Sequence, residues 1–219
     1  MVQIPDSIEI PASVLEIVDR LEAEGHETWC VGGAIRDALL GDPHSDVDLA
    51  TAALPAVVRR IFRRTVPIGI EHGTVGVLDS DGVLHEVTTF RRDVRTDGRH
   101  AEVEFGASLD DDLARRDFTI NAIAWHPRRR EWCDPFGGID DIRAGLVRAV
   151  GVAEQRFRED RLRIIRAIRF ATRLGFAIEP ETWAAARRLA SDTGELSAER
   201  VRDEWWKSVD RARDVREVI

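Results

Sequence analysis

Residues 29–51 read WCVGGAIRDALLGDPHSDVDLAT. An apolar strand (Trp29 to Val31) runs into a Gly-Gly turn, Gly32 and Gly33, and then into a short helix carrying Arg36 and Asp37. A polar turn, Gly41 to Ser45, leads to a second strand with carboxylates at i and i+2, Asp46 and Asp48. Residues two apart on a strand share a face, roughly 6 to 7 Å apart. Carboxylates at that spacing suit a pair of divalent metals about 3.5 to 4 Å apart. Glycines bare the backbone N–H groups at a helix N-terminus, where phosphate binds. Either feature alone is commonplace. Together, in this order, they point to a nucleoside triphosphate site.

The totals describe a water-soluble globular chain. It has 219 residues, 43% of them hydrophobic and 33% charged. No apolar run approaches the ~20 residues of a membrane span, and the N-terminus lacks a signal-peptide pattern. Two cysteines, Cys30 and Cys133, without metal-like spacing, fit buried thiols in a reducing cytoplasm. The net charge is -8. Residues 1–150 carry 17 basic and 27 acidic side chains, and residues 151–219 carry 15 and 13. Acid thus concentrates where metals would be held. Every basic residue but Lys207 is arginine, which follows either from genome composition or from a need for bidentate donors.

Outward from the opening stretch, residues 11–25 have the spacing of an amphipathic helix, and Leu54 to Arg64 that of a second. Residues 74–79 and 83–90 flank Ser80-Asp81-Gly82 as a hairpin. Glu86 on its second strand is either a third catalytic carboxylate or a solvent-facing glutamate. Residues 91–105, polar and arginine-rich, read as a mobile loop. The segment DDDLARRDFTINAIAW (110–125) sets Arg115, Arg116 and Asp117 among core-like residues.

From Ala153 the pattern is helical up to Gly175, with Phe157, Leu162, Ile165, Ile168 and Leu174 as the apolar stripe. Asp160, Arg163, Arg166 and Arg169 recur every three residues and form one face. That face is either a solvated salt-bridge ladder or a base reader. Cytosine and adenine pair an exocyclic amine with a ring-nitrogen acceptor. A carboxylate accepts from the amine and a guanidinium donates to the nitrogen, so Asp160 with Arg163 would take C and A and refuse U and G. Two further helices follow, 180–191 and 198–218. Of the adjacent Trp205 and Trp206, at least one packs in a core or at an exposed edge, and either offers a stacking surface for RNA bases.

G-G-x-(V/I)-R-D-x-L-L-G followed by D-x-D-x-x-T resembles the signature of class II tRNA nucleotidyltransferases, the CCA-adding enzymes and related bacterial poly(A) polymerases of the DNA polymerase beta superfamily. RRDFTINA (115–122), DPFGGIDDIRAGLVRAVG (134–151), EDxxRxxRxxRF (159–170) and SAERVRDEWWK (197–207) resemble the family's later motifs. The resemblance implies an α+β fold: a polymerase-beta-type head of mixed β-sheet and flanking helices over residues 1–150, then an all-α, base-selecting neck over 151–219, ending before a body and tail. It implies Asp46, Asp48 and Glu86 as catalytic residues, with Asp46 and Asp48 holding two Mg²⁺. It implies Gly32, Gly33, Arg36, Arg116, Asp160, Arg163, Arg166 and Arg169 as nucleotide-binding residues. The 91–105 stretch matches a flexible loop tied to addition of the terminal adenosine. The expected activity is template-independent addition of C and A from CTP and ATP to the 3′ end of tRNA. Poly(A) addition, or nucleotide binding without turnover, are the rival expectations.

Overall fold

The computed structural model describes residues 5–42, 47–96 and 101–209. Its fold is α+β. Helix α1 (Ala12–Ala23) precedes strand β1 (Thr28–Val31), helix α2 (Gly33–Leu39) and strand β2 (Asp48–Thr51). Helix α3 (Pro55–Ile61) leads to strands β3 (Thr65–Gly69), β4 (Thr74–Leu78) and β5 (Leu84–Thr89). Strands β6 (Arg91–Thr96) and β7 (Ala101–Phe105) come next, followed by α4 (Leu109–Ala114), β8 (Ala124–His126), β9 (Glu131–Cys133), α5 (Gly138–Ala144) and β10 (Leu146–Val147). The remainder comprises α6 (Ala153–Glu159), α7 (Leu162–Leu174), β11 (Ala177–Ile178), α8 (Pro180–Arg188) and α9 (Ala198–Val209).

Seven strands form one mixed sheet in the order β3-β4-β5-β2-β1-β8-β9. Only β2 and β5 run parallel in it. Strand alternation sorts the side chains onto two faces. Leu49 and Val87 pack with Val14 and Val18 of α1 and Val58 of α3. Ala50 and Val31 pack on the other face with Leu109 and Leu113 of α4. The larger core continues into the C-terminal helices through Ile164, Ala167, Phe170 and Ala185. Burying each of the larger side chains among them, Val, Leu, Ile or Phe, contributes about 1.5 to 3 kcal/mol.

Three sequence expectations change. Residues 91–96 and 101–105 pair as an antiparallel ribbon rather than running as a loop. Their polarity masks alternation, and Arg92 meets Glu104 Oε2 at 2.7 Å across the pair. The helix expected from 153 to 174 is two helices, broken where Asp160 adopts an extended backbone at φ −151°, ψ 106°. Its Oδ1 accepts from Leu162 N at 3.1 Å and so starts the second helix, the local bond by which Asp favours helix ends. The apolar stripe of α7 is also rotated: Leu162, Ile164, Ala167 and Phe170 are buried, whereas Ile168 is exposed. Arg169 turns inward with them because a carboxylate of α9 meets it there.

DPFGG is a helix start. Asp134 accepts from the N–H groups of Gly138 (2.7 Å) and Ile139 (2.9 Å), opening α5. A Cβ on Gly138 would fall 2.1 Å from the Thr119 carbonyl oxygen, so only glycine lets α5 approach this closely.

Candidate nucleotide site

At the end of β1 the chain turns through Gly32, at φ 81° and ψ −146°, straight into α2. Such a backbone is open to glycine and costly for other residues. The β1–β2 register sets Val31 against Asp48 and thereby holds Asp48 over the turn. A Cβ on Gly32 would lie 3.2 Å from Asp48 Oδ2 and 3.4 Å from Arg116 Nη1. The missing side chain therefore leaves a small concavity framed by bare backbone, a carboxylate and a guanidinium.

That concavity opens into a cavity of about 830 Å³. Its walls include Gly32, Gly33, Arg36, Asp48, Arg116, Asp160, Arg163, Arg166 and Arg169, stretches far apart in sequence that the fold brings together. Asp46 lies outside the described residues. Glu86 is exposed and is not among the lining residues. The parallel register pairs Leu49 with Val87, and one step back this puts Asp48 beside Glu86 on the same sheet face.

Each arginine has its own anchorage. Arg36 is buried, donating from Nε to Asp37 (2.7 Å) and from Nη1 to Asn121 Oδ1 (2.6 Å) beneath the turn. Arg116 donates to Asp112 Oδ2 and to the Asn121 carbonyl, both at 3.2 Å, while its buried Nε has no partner among the described residues. Arg163 is held by Glu159 at 2.6 Å and by the carbonyls of Arg156 and Arg115 at 3.0 Å. Asp160 Oδ2 accepts from Arg200 Nη2 at 2.8 Å.

Arg166 reaches across to Asp117 Oδ2, at 2.8 Å from Nε and 2.6 Å from Nη2. Asp117 also accepts from Asn121 Nδ2 at 3.0 Å, closing a chain of side chains from α2 to α7. Glu204 of α9 is 3% exposed and accepts from Arg169 Nε at 2.6 Å and Arg166 Nη1 at 3.4 Å. Arg173 ties α7 back to Asp37 at 3.1 Å. Sequence reasoning passed over Asp117, Glu204 and Arg200. For Glu204 the available signal was its place one turn after Val201, on the inner side of a polar helix. Trp205 and Trp206 are both exposed.

Burial alone would raise the carboxyl pKa of Asp117. The charge of Arg166, with bonds from Asn121, Arg166 and the Phe118 N–H, outweighs it, and the group sits below its ordinary value. A depressed carboxyl stabilises the fold above its unfolded pKa of ~3.9, and that stabilisation is lost as pH falls through the folded value. The melting temperature of the parent should exceed that of Asp117→Asn at pH 7 and at pH 5. The gap should narrow progressively as the pH is lowered below the unfolded value of ~3.9. A gap that stays constant over this series would assign the difference to packing.

Residues 28–148 match the family described as the poly A polymerase head domain, and residues 175–210 match a probable RNA and SrmB-binding site of polymerase A. A CCA-adding enzyme of Lactiplantibacillus plantarum is 50% identical over 196 residues, covering 87% of this chain and 47% of that protein. One from Streptococcus pneumoniae is 46% identical over 202 residues, covering 91% and 49%. The crystal structure of the Bacillus stearothermophilus CCA-adding enzyme in complex with CTP superposes with a TM-score of 0.85 at 45% identity, covering 94% of this chain and 50% of that one. The chain thus spans about half the length of these relatives. With 28–148 matched, more than half of its residues, it belongs to the poly A polymerase head-domain family.

Proposed function

We propose that the chain adds C and A nucleotides from CTP and ATP to the 3′ end of tRNA without a template. The observation that carries this reading is the single cavity shared by Gly32, Asp48 and Arg116 on one side and Asp160, Arg163 and Arg166 on the other. One wall suits phosphates and the other suits a base. On this reading residues 1–150 are the catalytic head and residues 151–219 a base-selecting neck. The relatives named as CCA-adding enzymes, one of them in complex with CTP, support the choice of substrate.

The triphosphate would lie against the N–H groups of the Gly32-Gly33 turn and the Arg116 guanidinium. Arg36 adds its charge from beneath. Asp48, half-exposed beside Arg116 and next to Glu86, offers hard oxygen donors of the kind Mg²⁺ takes. Among the described residues no three His, Cys, Asp or Glu side chains gather as a metal group, so the proposed pair of Mg²⁺ ions rests on Asp48 together with Asp46. Bound there, they supply charge stabilisation for the triphosphate and activation of the attacking hydroxyl. Arg116 and the backbone N–H groups orient the phosphates in line with the RNA 3′ hydroxyl. Among the described residues no helix is long and apolar enough to cross a membrane. We place the activity in the cytoplasm, where tRNA is processed.

Base choice falls to Asp160 and Arg163. Asp160 Oδ2 already holds one N–H donor, from Arg200, which the exocyclic amine of C or A would replace. A carbonyl in that place leaves the carboxylate unpaired, which is the strong form of rejection. Incorporation from a mixture of all four triphosphates tests this. Asp160→Ala and Arg163→Ala should each lower the preference for C and A over U and G by about tenfold or more. Unchanged discrimination in both variants would remove the base-reading role. Sequencing the parent's products separates a CCA end from a long A tract, the product of the poly(A) reading.

A further inference from the structure

A second cavity, of about 650 Å³, lies between α1, the end of α3 and the β4–β5 turn. It is on the sheet face that packs α1 and α3, whereas Asp48 belongs to the opposite face. Arg20, Arg60, Arg63 and Arg64 line it, in a segment whose net charge is -10 over residues 1–150.

These arginines differ from those of the nucleotide site in what holds them. Arg20 donates to the Ile61 carbonyl and lies with its guanidinium 4.4 Å from the Phe62 ring centre. Arg64 donates to the Asp79 carbonyl at 3.0 Å. Neutral carbonyls orient a guanidinium without cancelling its charge. Arg63 is exposed and forms no ion pair among the described residues. Arg60 meets only Glu24, at 3.2 Å, with both side chains more than half exposed, a pair that contributes little. Two carboxylates stand in the walls: Glu16, which is exposed, and Asp79, which is already saturated by the N–H groups of Asp81 and Val83 and by His85 Nε2. A helix dipole accounts for basic residues in the last turn of α3. The dipole of α1 accounts in the same way for Arg20, in its own last turn, but neither dipole accounts for Arg63 and Arg64 beyond the end of α3.

We propose that this cavity is a second anion site, which receives backbone phosphates of an RNA duplex while the 3′ end occupies the other face. Preoriented, uncancelled guanidinium forks are the group that phosphate diesters select. On an acidic head they are also where an RNA can approach without repulsion. The proposal takes RNA as the polymer from the function above but does not need nucleotide transfer.

The test is binding of a blunt-ended RNA duplex of about 20 base pairs to the full chain, followed by anisotropy over a salt series, with CTP binding measured separately by calorimetry. For Arg60→Gln/Arg63→Gln the duplex should bind more weakly, and the slope of log K against log salt should be shallower by about 2. CTP binding should be unchanged, since neither residue lines the nucleotide cavity. Absence of duplex binding by the parent, or the same affinity and slope in the variant, would overturn the proposal. Loss of inorganic pyrophosphate binding with duplex binding intact would overturn it too, by assigning the site to a free phosphate. Failure of CTP binding in the parent would instead count against the proposed function alone.

Discussion

An Asp48→Ala chain is expected to fold normally and to lose incorporation of CTP and ATP by roughly 10³-fold or more, the scale seen when a central electrostatic stabiliser is removed. Asp48 opens β2 and is half-exposed, so its loss leaves no void in the core. Its neighbour Arg116 retains Asp112 and the Asn121 carbonyl as partners. The sheet register through Leu49, Ala50 and Thr51 does not depend on the carboxylate. Extension of a labelled tRNA lacking its terminal nucleotides, with circular dichroism as the check on folding, reads both halves of the expectation. Activity within a few-fold of the parent would end the reading of this strand as the metal-holding element.

The other large effect falls on stability. Glu204→Ala should cost about 3 to 5 kcal/mol, the range for breaking a buried pair from one side. Arg169 is 7% exposed, and without Glu204 its guanidinium has no carboxylate within hydrogen-bond reach among the described residues. Arg166 keeps Asp117 and is more open to water, so it adds little to the cost. Urea unfolding should give a lower midpoint with an unchanged slope. Removing Glu154 from its exposed pairs with Arg158 and Arg188 should cost less than ~1 kcal/mol. A Glu204 variant no worse than that surface change would show that the α7–α9 contact rests on packing.

Local signals in the chain are strong around the first cavity. The Gly-Gly turn, the helix after it and the strand that opens at Asp48 can be placed because glycine conformations and strand alternation act over a few residues. Arg116 and the α7 arginines follow from their motifs. The break at Asp160 escapes such reading, since Glu159-Asp160 fits a continuing helix until the Asp160 carboxylate is seen to bond Leu162 N. Glu204 escapes for another reason. Its partners stand 35 and 38 residues earlier, and its place one turn after Val201 is too slight a local signal to set it apart from a solvated glutamate. The β6–β7 ribbon is hidden by composition, because alternation carries no hydropathy signal when both faces are polar.

Strand β10 pairs in parallel with β11, and the N–H groups of Ala177 and Glu179 donate to the carbonyls of Gly145 and Val147. These bonds straddle the covalent passage from α5 to α6, so the segment that ends the head and the C-terminal helices are stitched a second time rather than joined by a single thread. Such a junction gives no free pivot. On the proposed reading, room for C and for A would then come from side chains within a stiff frame rather than from rotation at this junction.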